Sequence, residues 1–132
     1  MNVLHFLKYK KCIFLFSFVF LLLSSCDVFN NYGYPHKVNF NSRGGERIVS
    51  GNEVAYNICI SNYNGDILAK EEQIAETDTF LLTYEWLTVK YRRLYESNII
   101  IKADPNVTGK SRHCYIDLGI MDSGATIKVT QN

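Results

Sequence analysis

From residue 37 onward the chain is written in short runs whose apolar side chains recur every second position, the period of a half-buried β-strand. KVNFNS alternates Val38 with Phe40, SRGGER supplies a glycine turn, and RIVS starts a new run. VAYNICI sets Val54, Tyr56, Ile58 and Ile60 on one face. NYNGD follows, in which Asn64-Gly65 is a hairpin turn. KEEQIAETD is largely polar and reads as one helical turn or as a loop. TFLLTY, WLTVKY, NIIIKA, CYIDLGI and ATIKVTQ then alternate again, separated by turns such as ADPNVTG and MDSG. Seven or eight short strands over residues 37–132, with no helical period, predict an all-β, immunoglobulin-like β-sandwich. The antibody-type signature is missing, because Arg112 rather than tyrosine stands two residues before Cys114.

The N-terminal segment breaks this pattern. Ile13 to Leu23 is apolar except for Ser17, follows Lys8, Lys10 and Lys11, and gives way to small residues. It is about half the roughly 20 residues that a membrane-spanning helix needs. A basic stretch, a short apolar core and small residues are the layout of an export signal. The series Leu23-Ser24-Ser25-Cys26 resembles the lipobox of bacterial lipoproteins. That resemblance implies a signal peptide over 1–25, a lipid on Cys26, and anchoring of the protein at a membrane. Several acyl chains on one cysteine hold a protein far more firmly than a single chain does. Residues 26–36 then read as the lipidated cysteine and a tether, ahead of a domain over 37–132. Surface export in such lipoproteins goes with a charged run after the cysteine, and here only Asp27 fits. An outer-membrane position facing either the cell surface or the periplasm stays open.

Cleavage before Cys26 leaves 107 of the 132 residues, enough for one domain with a modest core. The signal removes three of the 14 basic residues and none of the 13 acidic ones, so the remainder is close to neutral. No basic patch points to nucleic acid. Cys59 and Cys114 remain, and an oxidising compartment permits a bridge between them. Alternation opposes it, placing Cys59 with Ala55 and Asn57 but Cys114 with Ile116 and Leu118.

Four motifs follow one another in the second half: Trp86-Leu87-Thr88-Val89, the strand Asn98 to Ala103, Asn106-Val107-Thr108-Gly109-Lys110-Ser111-Arg112, and the closing Ile127-Lys128-Val129-Thr130-Gln131. With FNSRGG upstream, this series resembles the BACON domain, the Bacteroidetes-associated carbohydrate-binding often N-terminal module, over residues 37–132. Two departures are a longer, more charged stretch between Tyr63 and Trp86, and Tyr56 where many members carry a further tryptophan. The resemblance implies an immunoglobulin-like sandwich with a role in glycan binding, or a spacer between other modules. Asn106-Val107-Thr108 is also formally a glycosylation sequon, but a tight turn accounts for it.

Little in the chain points to catalysis. Outside the signal lie His36 and His113, and His113 adjoins Cys114 on a strand, where neighbouring side chains face opposite ways. Cys59, Cys114 and His113 lack the close ligand pairs of structural zinc sites, so neither a metal nor any other cofactor is expected. Glu71, Glu72 and Glu76 cluster in the polar connection and read as solvated surface. Glycan binding asks for an aromatic platform and a few polar groups. Trp86 is either that platform or the plug at the end of the core. Tyr91, Arg92 and Tyr95 in YRRLY and Tyr63 in the hairpin turn are the other candidates. The expected protein is a membrane-anchored, non-catalytic binding lipoprotein that captures a glycan at the cell envelope. A structural or spacer subunit that docks another envelope protein is the alternative.

Overall fold

The computed structural model describes residues 31–93 and 95–132. The expected signal peptide and the lipidated Cys26 lie outside the described residues. Ten strands run in chain order as β1 (Lys37–Phe40), β2 (Gly45–Ser50), β3 (Asn57–Ser61), β4 (Ile67–Lys70), β5 (Glu72–Gln73), β6 (Thr79–Tyr84), β7 (Leu87–Arg92), β8 (Asn98–Ala103), β9 (Arg112–Ile120) and β10 (Ser123–Gln131). They form two five-stranded sheets, ordered β1-β10-β9-β3-β4 and β2-β8-β7-β6-β5, whose inner faces share one core. The molecule is an all-β sandwich. Every pairing is antiparallel except that of β1 with β10.

The two-residue period assigns the inner faces almost everywhere. Ile58 and Ile60 on β3, Leu87, Val89 and Tyr91 on β7, and Ile99 and Ile101 on β8 are buried. On the first sheet, Cys114, Ile116 and Leu118 on β9 face inward beside Ile127 and Val129 on β10. Fully burying one such aliphatic side chain contributes about 1.5–3 kcal/mol.

Three expectations are corrected. The strands number ten rather than seven or eight, because ILAK pairs as the short edge strand β4, and Glu72–Gln73, inside the polar stretch expected as loop or helical turn, pairs as β5. The face read through VAYNICI begins only at Asn57, since Ala55 is buried and Tyr56 is exposed. Residues 31–36 are not a loose tether but part of the folded unit. Tyr34 is buried and its hydroxyl donates to the Glu53 carbonyl at 2.6 Å. The Asn31 side chain donates to the Thr126 carbonyl at 3.0 Å and accepts from the Thr126 amide at 2.9 Å, completing a backbone-like pair ahead of β1.

One end of the sandwich is closed by the motif residues. Gln131 is fully buried. Its Nε2 donates to the carbonyls of Asp104 and Asn41 at 2.7 and 3.1 Å, and its Oε1 accepts from Arg112 Nε at 2.9 Å. The same guanidinium lies 4.7 Å from the Trp86 ring centre. Asn106 donates to the Lys110 and Asn132 carbonyls at 2.7 and 3.1 Å, and its Oδ1 accepts from the Thr108 amide and hydroxyl. Here N-x-T-G builds a turn, with Gly109 at φ +71°.

The β2 edge is blunted. Arg47 on β2 points inward over the Phe40 ring at 5.9 Å, and an inward charge discourages edge pairing. Next to it, Ile48 is 67% exposed on the outer face, opposite Ile100 of β8.

Candidate functional site

The residues named for ligand binding separate into core and surface. Trp86, 6% exposed, belongs to the core and offers no free face, so the platform reading is corrected. Tyr91 is 3% exposed and is corrected likewise; it follows the inward alternation of Leu87 and Val89. Its hydroxyl donates to Glu71 Oε2, and burial pushes the phenol up to about 12. Glu71 is no solvated acid either. It lies where the chain crosses from β4 to β5, accepts from the Ile58 amide at 3.1 Å, and pairs with Arg93, whose guanidinium stands 4.0 Å from the Phe80 ring centre. Tyr91, Glu71 and Arg93 thus lock the two sheets together at an end read as an exposed loop.

Tyr63 and Tyr95 are exposed, at 81% and 63%. Arg92 stacks on Tyr95 at 5.1 Å and pairs with Glu96 at 3.1 Å. These surfaces do not meet. Tyr63 follows β3 near the start of β9, whose Arg112 reaches Trp86. Tyr95 joins β7 to β8 at the opposite end from Trp86 and Asp104, which are linked by a 2.8 Å backbone bond.

The concave surface lies instead on the outer face of the first sheet. A shallow groove of about 320 Å³ crosses β10, β9 and β3 and reaches the β3–β4 turn. Asp117 is at its centre. Ser61 donates to Asp117 Oδ2, and the Thr126 hydroxyl donates to Asp117 Oδ1 at 2.9 Å. Tyr115 forms the floor beside them, with the His113 ring edge-on to it at 6.0 Å. Tyr63 forms the wall. Its turn is held by Asn62, whose Oδ1 accepts from the Asn64 and Asp66 amides at 2.9 Å each. The hairpin was legible, but its organiser is Asn62 rather than Asn64.

Register explains why these side chains converge. Thr126, Asp117 and Cys59 are opposite one another on β10, β9 and β3, and Lys128, Tyr115 and Ser61 form the adjacent row. Inward positions alternate with them, so this face is polar while its reverse is core. Sequence reasoning missed Tyr115, Asp117, Ser61 and Thr126. Tyr115 and Asp117 were nonetheless visible as the outward positions of CYIDLGI, and only the partner strands were not.

The same register separates the cysteines. Cys59 is opposite Asp117 on the outer face and Cys114 is in the core, and both are free. The disulfide weighed from sequence is not formed. Burial raises the Cys59 thiol, the Asp117 charge adds to that, and Lys70 opposes it. Burial pushes Cys114 up to about 12. Among the described residues no group of three or more histidines, cysteines or acids is placed to hold a metal ion, and no helix is long and apolar enough to cross a membrane.

No family model matches the chain, and no curated protein matches it. Among solved structures it is similar to an NMR structure of a protein from Bacteroides thetaiotaomicron, at 16% identity and a TM-score of 0.48, over 75% of this chain and 81% of that one.

Proposed function

We propose that this chain is a membrane-anchored, non-catalytic lipoprotein whose single BACON-like domain captures a glycan at the cell envelope. The observation that carries the reading is the groove on the first sheet, where one carboxylate is held between two hydroxyls and flanked by two tyrosines. Asp117 is oriented by Ser61 and Thr126, and its remaining lone pairs are available to sugar hydroxyls. Tyr63 and Tyr115 supply apolar ring surface for a pyranose face. A shallow, open groove suits a chain passing through better than a small molecule enclosed on all sides. The lipobox resemblance at Leu23 to Cys26 supports the anchoring, with the domain at an outer-membrane face.

The test is retardation of the full chain, in nonionic detergent, through gels containing plant or host polysaccharides. Wild type should be slowed by one class, and Tyr63→Ala and Asp117→Ala, each checked for folding, should migrate freely. Migration unchanged by every glycan would exclude capture. Labelled palmitate should enter the wild type and not Cys26→Ala.

A second reading, a subunit that docks another envelope protein, rests on the exposed Ile48 opposite Ile100 beside the β2 edge. Ile48→Lys should abolish recovery of a co-purifying partner if that reading holds, and leave glycan retardation unchanged.

A further inference from the structure

The row next to Asp117 carries two like charges. Lys37 on β1 is the register partner of Lys128 on β10, and Lys128 in turn is opposite Tyr115 on the groove floor. Paired residues on adjacent strands project from the same face, about 4.8 Å apart at the backbone. Two like charges therefore project from neighbouring positions on one face, an arrangement that destabilises a sheet unless something offsets it. Among the described residues the two ion pairs are Arg92–Glu96 and Arg93–Glu71, neither of which involves this face. Asp117, the acid closest in register, is bonded to the Ser61 and Thr126 hydroxyls rather than to either lysine. The flanking row, Asn39, Thr130 and His113, brings no anion, and Asn39 and Thr130 are hydrogen-bonded to each other. Among the described residues no carboxylate forms an ion pair with either lysine.

We infer that the groove takes an anionic saccharide, with a carboxylate or sulfate seated on Lys37 and Lys128, a sugar ring on Tyr115, and hydroxyls on Asp117. The inference rests on the glycan reading and narrows it to acidic polymers. Asp117 keeps the specificity from being charge alone, since a carboxylate at the groove centre repels an anion placed there. The acidic group must lie over β1 and β10, and the neutral hydroxyls over β9 and β3. That polarity fixes the ring's orientation.

The experiment compares the full chain on matched polymers: polygalacturonate with its fully methyl-esterified form, and chondroitin sulfate with its desulfated form reduced at the uronate. Retardation should require the anionic member of at least one pair. It should weaken as salt rises from about 0.1 M to about 1 M, which shortens the screening length from about 10 Å to about 3 Å. Lys128→Gln and Lys37→Gln should each weaken binding about tenfold or more, the weight of one charge-assisted hydrogen bond. Lys90→Gln, on the outer face of the other sheet, is the control for bulk charge. Equal retardation by charged and neutral members, lysine variants that bind like wild type, or an equal loss in Lys90→Gln would each overturn the inference. Retardation by neutral glycans alone would do so while leaving glycan capture standing. Retardation by none of the polymers, charged or neutral, would remove both.

Discussion

The Arg112 guanidinium packs over Trp86 at 4.7 Å while its Nε donates to the buried amide oxygen of Gln131 at 2.9 Å. The lone tryptophan is thereby a structural fixture. Trp86→Ala should lower stability by about 3–5 kcal/mol. Arg112→Lys should cost about 1–3 kcal/mol, because a lysine cannot stack and bond together and the Gln131 oxygen is left unsatisfied. Urea midpoints check both. Tryptophan fluorescence should stay constant when a saccharide fills the groove, and a large shift would return Trp86 to the binding surface.

Glu71 is the electrostatic hinge pin between the sheets. Glu71→Ala strands the Arg93 charge, the Tyr91 hydroxyl and the Ile58 amide together. The expected loss is about 3 kcal/mol, at the low end for a buried pair since Arg93 keeps some solvent contact. Tyr91→Phe removes one donor and should cost about 1 kcal/mol. Comparable small losses in both variants would show that the carboxylate is not the shared acceptor.

Alkaline pH should unfold this domain through its buried acids. Tyr91 is raised from 10.0 and Cys114 from 9.0, each to about 12, so the folded state holds protons that the unfolded chain has released. Their contribution is complete below pH 9 and is lost as pH climbs from about 9 to about 12. Denaturant midpoints should fall across that range, and Tyr91→Phe with Cys114→Ala should flatten the fall. At neutral pH a thiol reagent should modify Cys59 ahead of Cys114, which opens only with the core.

Asn106 sits in a formal sequon, yet both hydrogens of its amide are already donated. Asn106→Ala should destabilise by about 1–3 kcal/mol, the usual loss when buried polar partners are stranded. Gly44→Ala should be worse tolerated than an ordinary turn substitution. Gly44 sits at φ +74°, and a Cβ there would stand 2.2 Å from the Ala103 carbonyl oxygen. Both effects are read from thermal melting.

How far the chain could be read depended on whether a property was local. Alternation fixed the inward positions of CYIDLGI and ATIKVTQ, because facing is set residue by residue. The same rule already placed Tyr91 inward with Leu87 and Val89, and the polar YRRLY context obscured it. Nothing in KEEQ separates Glu71 from Glu72. Glu71 is partly buried because the crossover between the sheets falls on it, while Glu72 already stands exposed on the edge strand β5, a fact of topology. The edge strands β4 and β5 escaped for a related reason, being too short to show a period. The groove needed three strands brought into register, with Ser61 reaching Asp117 across 56 residues of sequence. Its outward side chains were visible one strand at a time, and their meeting was not.

The parallel pairing of β1 with β10, extended by the Asn31–Thr126 pair, also decides how the domain bears load. Asn31 leaves the sheet at one end of this ladder and Asn132 at the other. A pull between those termini runs along the strands, so the hydrogen bonds of the ladder resist in shear, all at once, rather than opening one after another. Stretched between those two ends, the domain would yield by sudden rupture at high force, not by gradual peeling.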